Sequence, residues 1–219
     1  MSKLENLIEP IRHSPFFPQN VEVLPTQIDA ERLLSQSFYA EMTPGQNVEF
    51  IDGGIVLHAH PRIRHLDVTL RVSKLRDAFA KLSTIGEVEV GKCLCVFPYQ
   101  DDEPDIVFFS SEKVAPLTTE TVKFPTPDLI VEVLSESQEH RERGVKFGDF
   151  AANDVGEYWI VDADDSYVEL YKFFEGQYQL LVKAYSARIK STVVNGFEPD
   201  IDVFFDDPKN LVALRQLLT

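Results

Sequence analysis

Two acidic residues in apolar surroundings are the first candidates for chemistry. Glu132 lies in the middle of the run LIVEVL, residues 129–134, and Asp105 begins the apolar run that follows Pro104. An ionised carboxylate inside an apolar strand is costly unless it is paired or bound to a metal. If the two runs form neighbouring strands, both carboxylates can hold one Mg²⁺ or Mn²⁺, which can polarise a phosphodiester and activate water.

A lysine on the next predicted helix is the third candidate. Lys146 precedes Phe150 by four residues, so the two side chains share a helix face. Because Phe150 is apolar and should face the sheet, we expect Lys146 to reach Glu132 or a scissile phosphate. The alternatives are a solvated helix lysine and, for Glu132, a structural ion pair or a strand-end carboxylate in contact with water.

The elements that must position these residues follow from hydrophobic periodicity. An amphipathic helix is predicted over residues 64–83 and a second helix over residues 139–154. Between them the alternating or apolar runs predict three strands, and another strand follows the second helix. This order predicts an α/β (α+β) fold whose mixed central sheet is flanked by a helix on either face.

Residues 1–35 are expected to form an N-terminal extension, and residues 36–219 a single domain. Four prolines in the extension favour an irregular arm with one short helix near Asp29–Gln36. The run NVEFIDGGIVLHAH, residues 47–60, is typical of a β-hairpin with its turn at Asp-Gly-Gly.

Composition excludes some classes of protein. The formal net charge of −15 opposes coating-type binding to phosphate backbones, although Arg64, Arg141 and Arg143 lie in local basic clusters that can contact DNA. No apolar run is long enough for a membrane span, and the N-terminus lacks an apolar signal core. We therefore expect a cytoplasmic protein that has no membrane partner.

The central stretch resembles a known family. It contains Pro-Asp-Leu at 127–129, Glu-Val-Leu-Ser at 132–135, a basic loop, Lys146, and Glu-Tyr-Trp-Ile-Val-Asp at 157–162. This pattern is similar to the Uma-two family, bacterial restriction endonuclease-like proteins of the PD-(D/E)XK nuclease superfamily. In most of that superfamily a lysine follows the acid by two residues, where this chain has Leu134, whereas this family carries the lysine on the following helix. The resemblance covers about residues 35–205.

The resemblance implies a restriction-endonuclease-like core and a metal-dependent endonuclease that acts on DNA. Asp105 and Glu132 would hold the metal, and Lys146 would complete the catalytic set. The alternative is a catalytically inactive nuclease-fold module that serves protein or nucleic-acid contacts.

Two further residues could approach the same site. Glu49 lies on the predicted hairpin, where a cross-strand surface charge is an equally good interpretation. His65 lies at the start of the first predicted helix of the domain, where it could touch phosphate or ligate weakly, but a capping or solvent-facing histidine is the stronger expectation.

Two expectations concern assembly and stability. Duplex DNA has pseudo-two-fold symmetry, which favours a homodimer, and the C-terminal half offers aromatic residues for an interface: Phe173, Phe174, Tyr178, Phe204 and Phe205. Without metal, Asp105 and Glu132 should repel each other. Glu132→Gln is therefore expected to melt at or above the wild-type temperature at pH 8 when no metal is bound.

Overall fold

The computed structural model describes residues 3–41, 48–51, 54–57, 60–91, 93–97, 101–134 and 144–219. Its contacts divide the chain into two compact units. The first unit comprises Met1–His58 and Val96–Asp102, and the second comprises Ala59–Cys95 and Glu103–Thr219. No helix in these described ranges has the length and apolar character needed to cross a membrane.

The described helices and strands are defined in chain order. The helices are α1 (Lys3–Arg12), α2 (Phe17–Glu41), α3 (Ile63–Ser83), α4 (Ser111–Val114), α5 (Val145–Ala152) and α6 (Asp207–Leu217), with a 3-10 helix at Ile201–Phe204. The strands are β1 (Val48–Ile51), β2 (Gly54–Leu57), β3 (Gly86–Val90), β4 (Leu94–Val96), β5 (Asp101–Asp102), β6 (Ile106–Ser110), β7 (Lys123–Phe124), β8 (Leu129–Leu134), β9 (Glu157–Asp162), β10 (Tyr167–Phe174) and β11 (Gln177–Ala184).

The first unit is more helical than its sequence suggests. The predicted irregular arm is wrong, because α1 and α2 cover most of it. Pro18 is the second residue of α2, where a proline costs little since its missing N–H would have no intrahelical partner. The predicted hairpin is present as the antiparallel pair β1–β2. The boundary at residue 35 stays a prediction.

The second unit contains a six-stranded sheet in the order β11-β10-β9-β8-β6-β3. β8 and β9 run parallel, and the other neighbouring pairs are antiparallel. The predicted mixed sheet is therefore confirmed. Outside this sheet, β4 and β7 form a short parallel pair.

A helix covers each face of this sheet. On one face, Val72 of α3 belongs to the same buried cluster as Val131 of β8 and Val161 of β9. On the other face, Phe150 of α5 packs edge-to-face on Tyr158 of β9, with ring centroids 5.2 Å apart. Because successive strand residues point to opposite faces, Glu132 shares the α5 side of the sheet.

The aromatic residues suggested for a dimer interface are partly core residues. Phe204 is fully buried against Trp159, and the buried Tyr178 hydroxyl donates a hydrogen bond to the Val155 carbonyl at 2.9 Å. An interface that uses all five aromatic residues is therefore wrong. Phe174 remains about half exposed, and the homodimer itself stays a prediction.

A buried polar network joins β9 to α3 and to the chain after β11. The Glu157 carboxylate accepts hydrogen bonds from Trp159 Nε1 at 2.6 Å, Ser191 Oγ at 2.8 Å and Thr192 Oγ1 at 2.7 Å. The Arg76 guanidinium stacks 3.9 Å from the centroid of the Trp159 ring. Burial lowers the pKa of Arg76 to about 10, and the nearby charge of Glu157 opposes that shift.

We expect Glu157→Ala to lower the free energy of unfolding by about 3 kcal/mol or more, because it leaves several buried donors and the Arg76 charge unpaired. Urea unfolding followed by the fluorescence of Trp159, the single tryptophan, measures this change. Glu198→Ala is the control, since its partly exposed carboxylate pairs with the exposed Lys190. This variant should change the free energy of unfolding by less than about 1 kcal/mol. Equal midpoints for the two variants would contradict the role given to Glu157.

Candidate active site

Asp105 and Glu132 face each other where the ladder between β6 and β8 ends. The last antiparallel pair is Ile106 with Val131, which places Asp105 opposite Glu132 one position further along. The backbone N–H of Val133 donates to Asp105 Oδ2 at 2.8 Å. In return, the backbone N–H of Asp105 donates to Glu132 Oε2 at 3.3 Å. Each carboxylate thus satisfies a backbone donor of the other strand, and this exchange fixes the two acids side by side.

Lys146 completes the buried part of the site. It lies in the first turn of α5, and its Nζ donates to Glu132 Oε1 at 2.7 Å. Only 3% of the lysine side chain and 4% of the glutamate side chain are exposed. Phe150, one turn further along, packs against the sheet, so the shared helix face predicted for these residues is present. The solvated-lysine alternative is wrong.

His65 contacts Asp105 from the opposite side. It lies in the first turn of α3, and its Nε2 is 3.3 Å from Asp105 Oδ1. The histidine side chain is 10% exposed, whereas that of Asp105 is 26% exposed. The expectation of a capping or solvent-facing histidine is therefore wrong. A contact of this kind has no sequence signature, because it depends on how α3 meets the end of β6.

The donor set suits a hard divalent cation in number and kind. Mg²⁺ commonly takes one or two protein carboxylates and completes its sphere with water and substrate oxygens. All four carboxylate oxygens of Asp105 and Glu132 have a protein neighbour, but a carboxylate oxygen offers more than one lone pair. Within the described ranges, no cluster of three or more His, Cys, Asp or Glu side chains that could hold a metal is present.

Among the other predicted residues, the structure describes the side chain of Arg64 alone. Glu49 pairs across the hairpin with Val56, and its side chain lies outside the described residues, as do Arg141 and Arg143. Arg64 is exposed and forms an ion pair with Asp164. Their roles stay predictions.

Asp128 has a structural role. Its carboxylate accepts from the backbone N–H of Ser110 at 2.7 Å and pairs with Lys113 Nζ at 2.8 Å. These contacts fix the entry to β8 against the end of β6. The Pro-Asp dipeptide at 127–128 therefore positions the strand that carries Glu132.

Two of three comparisons with known proteins find similar proteins. Residues 33–204 match the model of the Uma2 family, described as "Putative restriction endonuclease". The crystal structure of a putative nuclease belonging to DUF820 from Anabaena variabilis superposes with a TM-score of 0.68 and 18% sequence identity, covering 78% of this chain and 96% of that chain. That likeness shows a shared fold.

A second solved structure, that of the type IIG restriction endonuclease BpuSI, aligns with a TM-score of 0.35 and 16% identity. It covers 74% of this chain and 18% of that chain, and no argument rests on it. A comparison with curated proteins finds no match.

The buried pair reverses the stability expected for Glu132→Gln. Removing either charge strands the other one in a poorly solvated site, so Glu132→Gln and Lys146→Met should each lower the free energy of unfolding by about 3 kcal/mol. The double variant removes both charges and should recover most of that loss. Urea unfolding in EDTA, followed by Trp159 fluorescence, measures the three variants. If the double variant lost the sum of the two single losses in unfolding free energy, or if the single variants were as stable as wild type, the ion pair would not form.

Proposed function

The chain belongs to the Uma2 family, and from this membership and the buried Asp105–Glu132–Lys146 cluster we propose that it is a metal-dependent endonuclease that hydrolyses phosphodiester bonds in DNA. One observation carries the proposal: a lysine ammonium and a carboxylate are buried together beside a second, partly open carboxylate. Burial makes such charges expensive unless they are paired, and their arrangement suits a reaction in which negative charge develops.

In this proposal Asp105 and Glu132 hold Mg²⁺ or Mn²⁺. A divalent cation at this place would polarise the phosphodiester and lower the pKa of a water molecule. The Asp105 side chain is 26% exposed and so reaches solvent, whereas the Glu132 side chain is only 4% exposed and lies deeper in the site. A ligand would therefore enter from the Asp105 side.

Lys146 stabilises the charge that develops on the phosphate oxygens. Glu132 orients it through the 2.7 Å hydrogen bond between Oε1 and Nζ, so the ammonium is in place before substrate arrives. In the hydrolysis, the water oxygen forms a bond to phosphorus, the bond to the leaving ester oxygen breaks, and a proton released by the water passes through solvent to the leaving oxygen.

DNA is the proposed substrate, despite the net charge of −15. Arg141 and Arg143 precede Lys146 in the sequence, and Arg64 lies one residue before His65. These cations are proposed to contact phosphates on either side of the scissile bond. The proposal extends to a bacterial, cytoplasmic homodimer, because two copies related by two-fold symmetry match the two strands of a duplex.

A non-catalytic module with the same fold is the second candidate. The acidic surface favours it, since that surface opposes a DNA backbone. The nitrogen neighbours of every oxygen of Asp105 and Glu132 favour it as well, because each carboxylate oxygen has a protein contact without a cation.

Asp105→Asn is the cleanest test of catalysis, because it keeps the size of the side chain and changes the more exposed of the two acids. With Mg²⁺ or Mn²⁺ we expect the wild type to cleave plasmid DNA and EDTA to stop it. Asp105→Asn should lower the rate by at least about 100-fold, because it removes a metal-binding charge from the reacting centre. The control is Asp67→Asn, an exposed aspartate of α3 that pairs with Arg71 and should cleave like wild type.

Gel electrophoresis of the plasmid products gives the rates, and circular dichroism checks the fold of each variant. DNA binding with no cleavage under either metal would support the non-catalytic module. Cleavage by Asp105→Asn at the wild-type rate would remove Asp105 from the reaction.

A further inference from the structure

We propose that His65 is a positioning residue that fixes the orientation of the Asp105 carboxylate. Its Nε2 lies 3.3 Å from Asp105 Oδ1, on the side opposite to the backbone donor of Val133. The inference rests on the proposed function, because it concerns the carboxylate that would meet the cation and the substrate.

Asp105 needs such a partner because the backbone of β8 contacts its carboxylate at Oδ2 and not at Oδ1. It precedes the first residue of β6, and its side chain is the more exposed of the two acids. A contact at Oδ2 alone, from Val133 N–H at 2.8 Å, would leave the carboxylate able to rotate about its Cβ–Cγ bond. The second contact, from His65 at Oδ1, fixes the plane of the group and so the direction of its remaining lone pairs.

The imidazole is itself held on a rigid element. Val68 and Val72, on the same helix, are buried in the core against the sheet, and the Thr69 hydroxyl donates to the His65 carbonyl at 2.9 Å. His65 is 8% exposed. The side chain is therefore placed by the packing of α3 rather than by a flexible loop.

Each acid thus has its own nitrogen-bearing partner on a different helix. Lys146 of α5 holds Glu132, and His65 of α3 holds Asp105. The two helices lie on opposite faces of the sheet, so the pair of carboxylates is clamped from both faces. Because His65 Nε2 faces Asp105 Oδ1, we assign His65 a role that acts through Asp105.

The test compares His65→Leu, His65→Gln and the control His60→Leu, which alters a histidine on the exposed segment before α3. Isothermal titration calorimetry with Mn²⁺ measures metal affinity, and plasmid cleavage gives kcat and KM. His65→Leu should weaken Mn²⁺ binding and lower kcat by about 10–100-fold each, with KM for DNA nearly unchanged. His65→Gln should retain most of the wild-type Mn²⁺ affinity and kcat, since the amide nitrogen of the glutamine can reach Asp105 Oδ1. His60→Leu should match wild type.

Two outcomes separate this inference from the proposed function. If the wild type binds Mn²⁺ and cleaves DNA while His65→Leu does both equally well, the positioning role is overturned and the endonuclease stands. If the wild type neither binds Mn²⁺ nor cleaves DNA, the proposed function fails and this inference fails with it. Equal losses in His65→Leu and His65→Gln, with equally lowered melting temperatures, would assign His65 to the fold alone and also overturn the proposal.

Discussion

The buried ion pair between Lys146 and Glu132 is the constraint on which the site depends. It ties the first turn of α5 to the middle of β8 through one hydrogen bond of 2.7 Å, with both side chains almost completely buried. Removing two charges from water is expensive, and well-packed apolar residues of similar volume often stabilise a protein equally well. Stability alone therefore does not account for the pair. A site that needs an ammonium and a carboxylate in contact before substrate binds accounts for the ion pair.

The remaining geometry follows from the end of one β-ladder. Beyond the pair Ile106–Val131, regular backbone hydrogen bonding between β6 and β8 gives way to an exchange in which each acid accepts from the backbone of the other strand. Through this exchange the acids extend the hydrogen bonding of the sheet. Their spacing is set by the distance between neighbouring strands, which is about 5 Å. It also places one acid at the surface and one in the interior.

Much of this arrangement is predictable from periodicity, and the rest is not. The period of two places Glu132 on one strand face, and the spacing of four between Lys146 and Phe150 turns the lysine inward. The inward position of His65 is not predictable in this way, because it depends on how α3 packs across the sheet. The network around Glu157 has no local signal either, since one of its donors, Ser191, is 34 residues away. The helical arm is not predictable from its prolines, because Pro18 falls in a first helical turn, where proline is tolerated, and Pro10 and Pro25 lie inside helices.

The central claim is that Asp105 and Glu132 together hold a catalytic cation within reach of Lys146. A crystal structure of the protein soaked in Mn²⁺, with anomalous diffraction data, tests it most directly. We expect an anomalous peak within coordination distance of a carboxylate oxygen of both acids, with water molecules as the remaining ligands. No peak at this position at millimolar Mn²⁺, with the Lys146–Glu132 hydrogen bond and the exchange between the strands intact, would contradict it and favour the non-catalytic module.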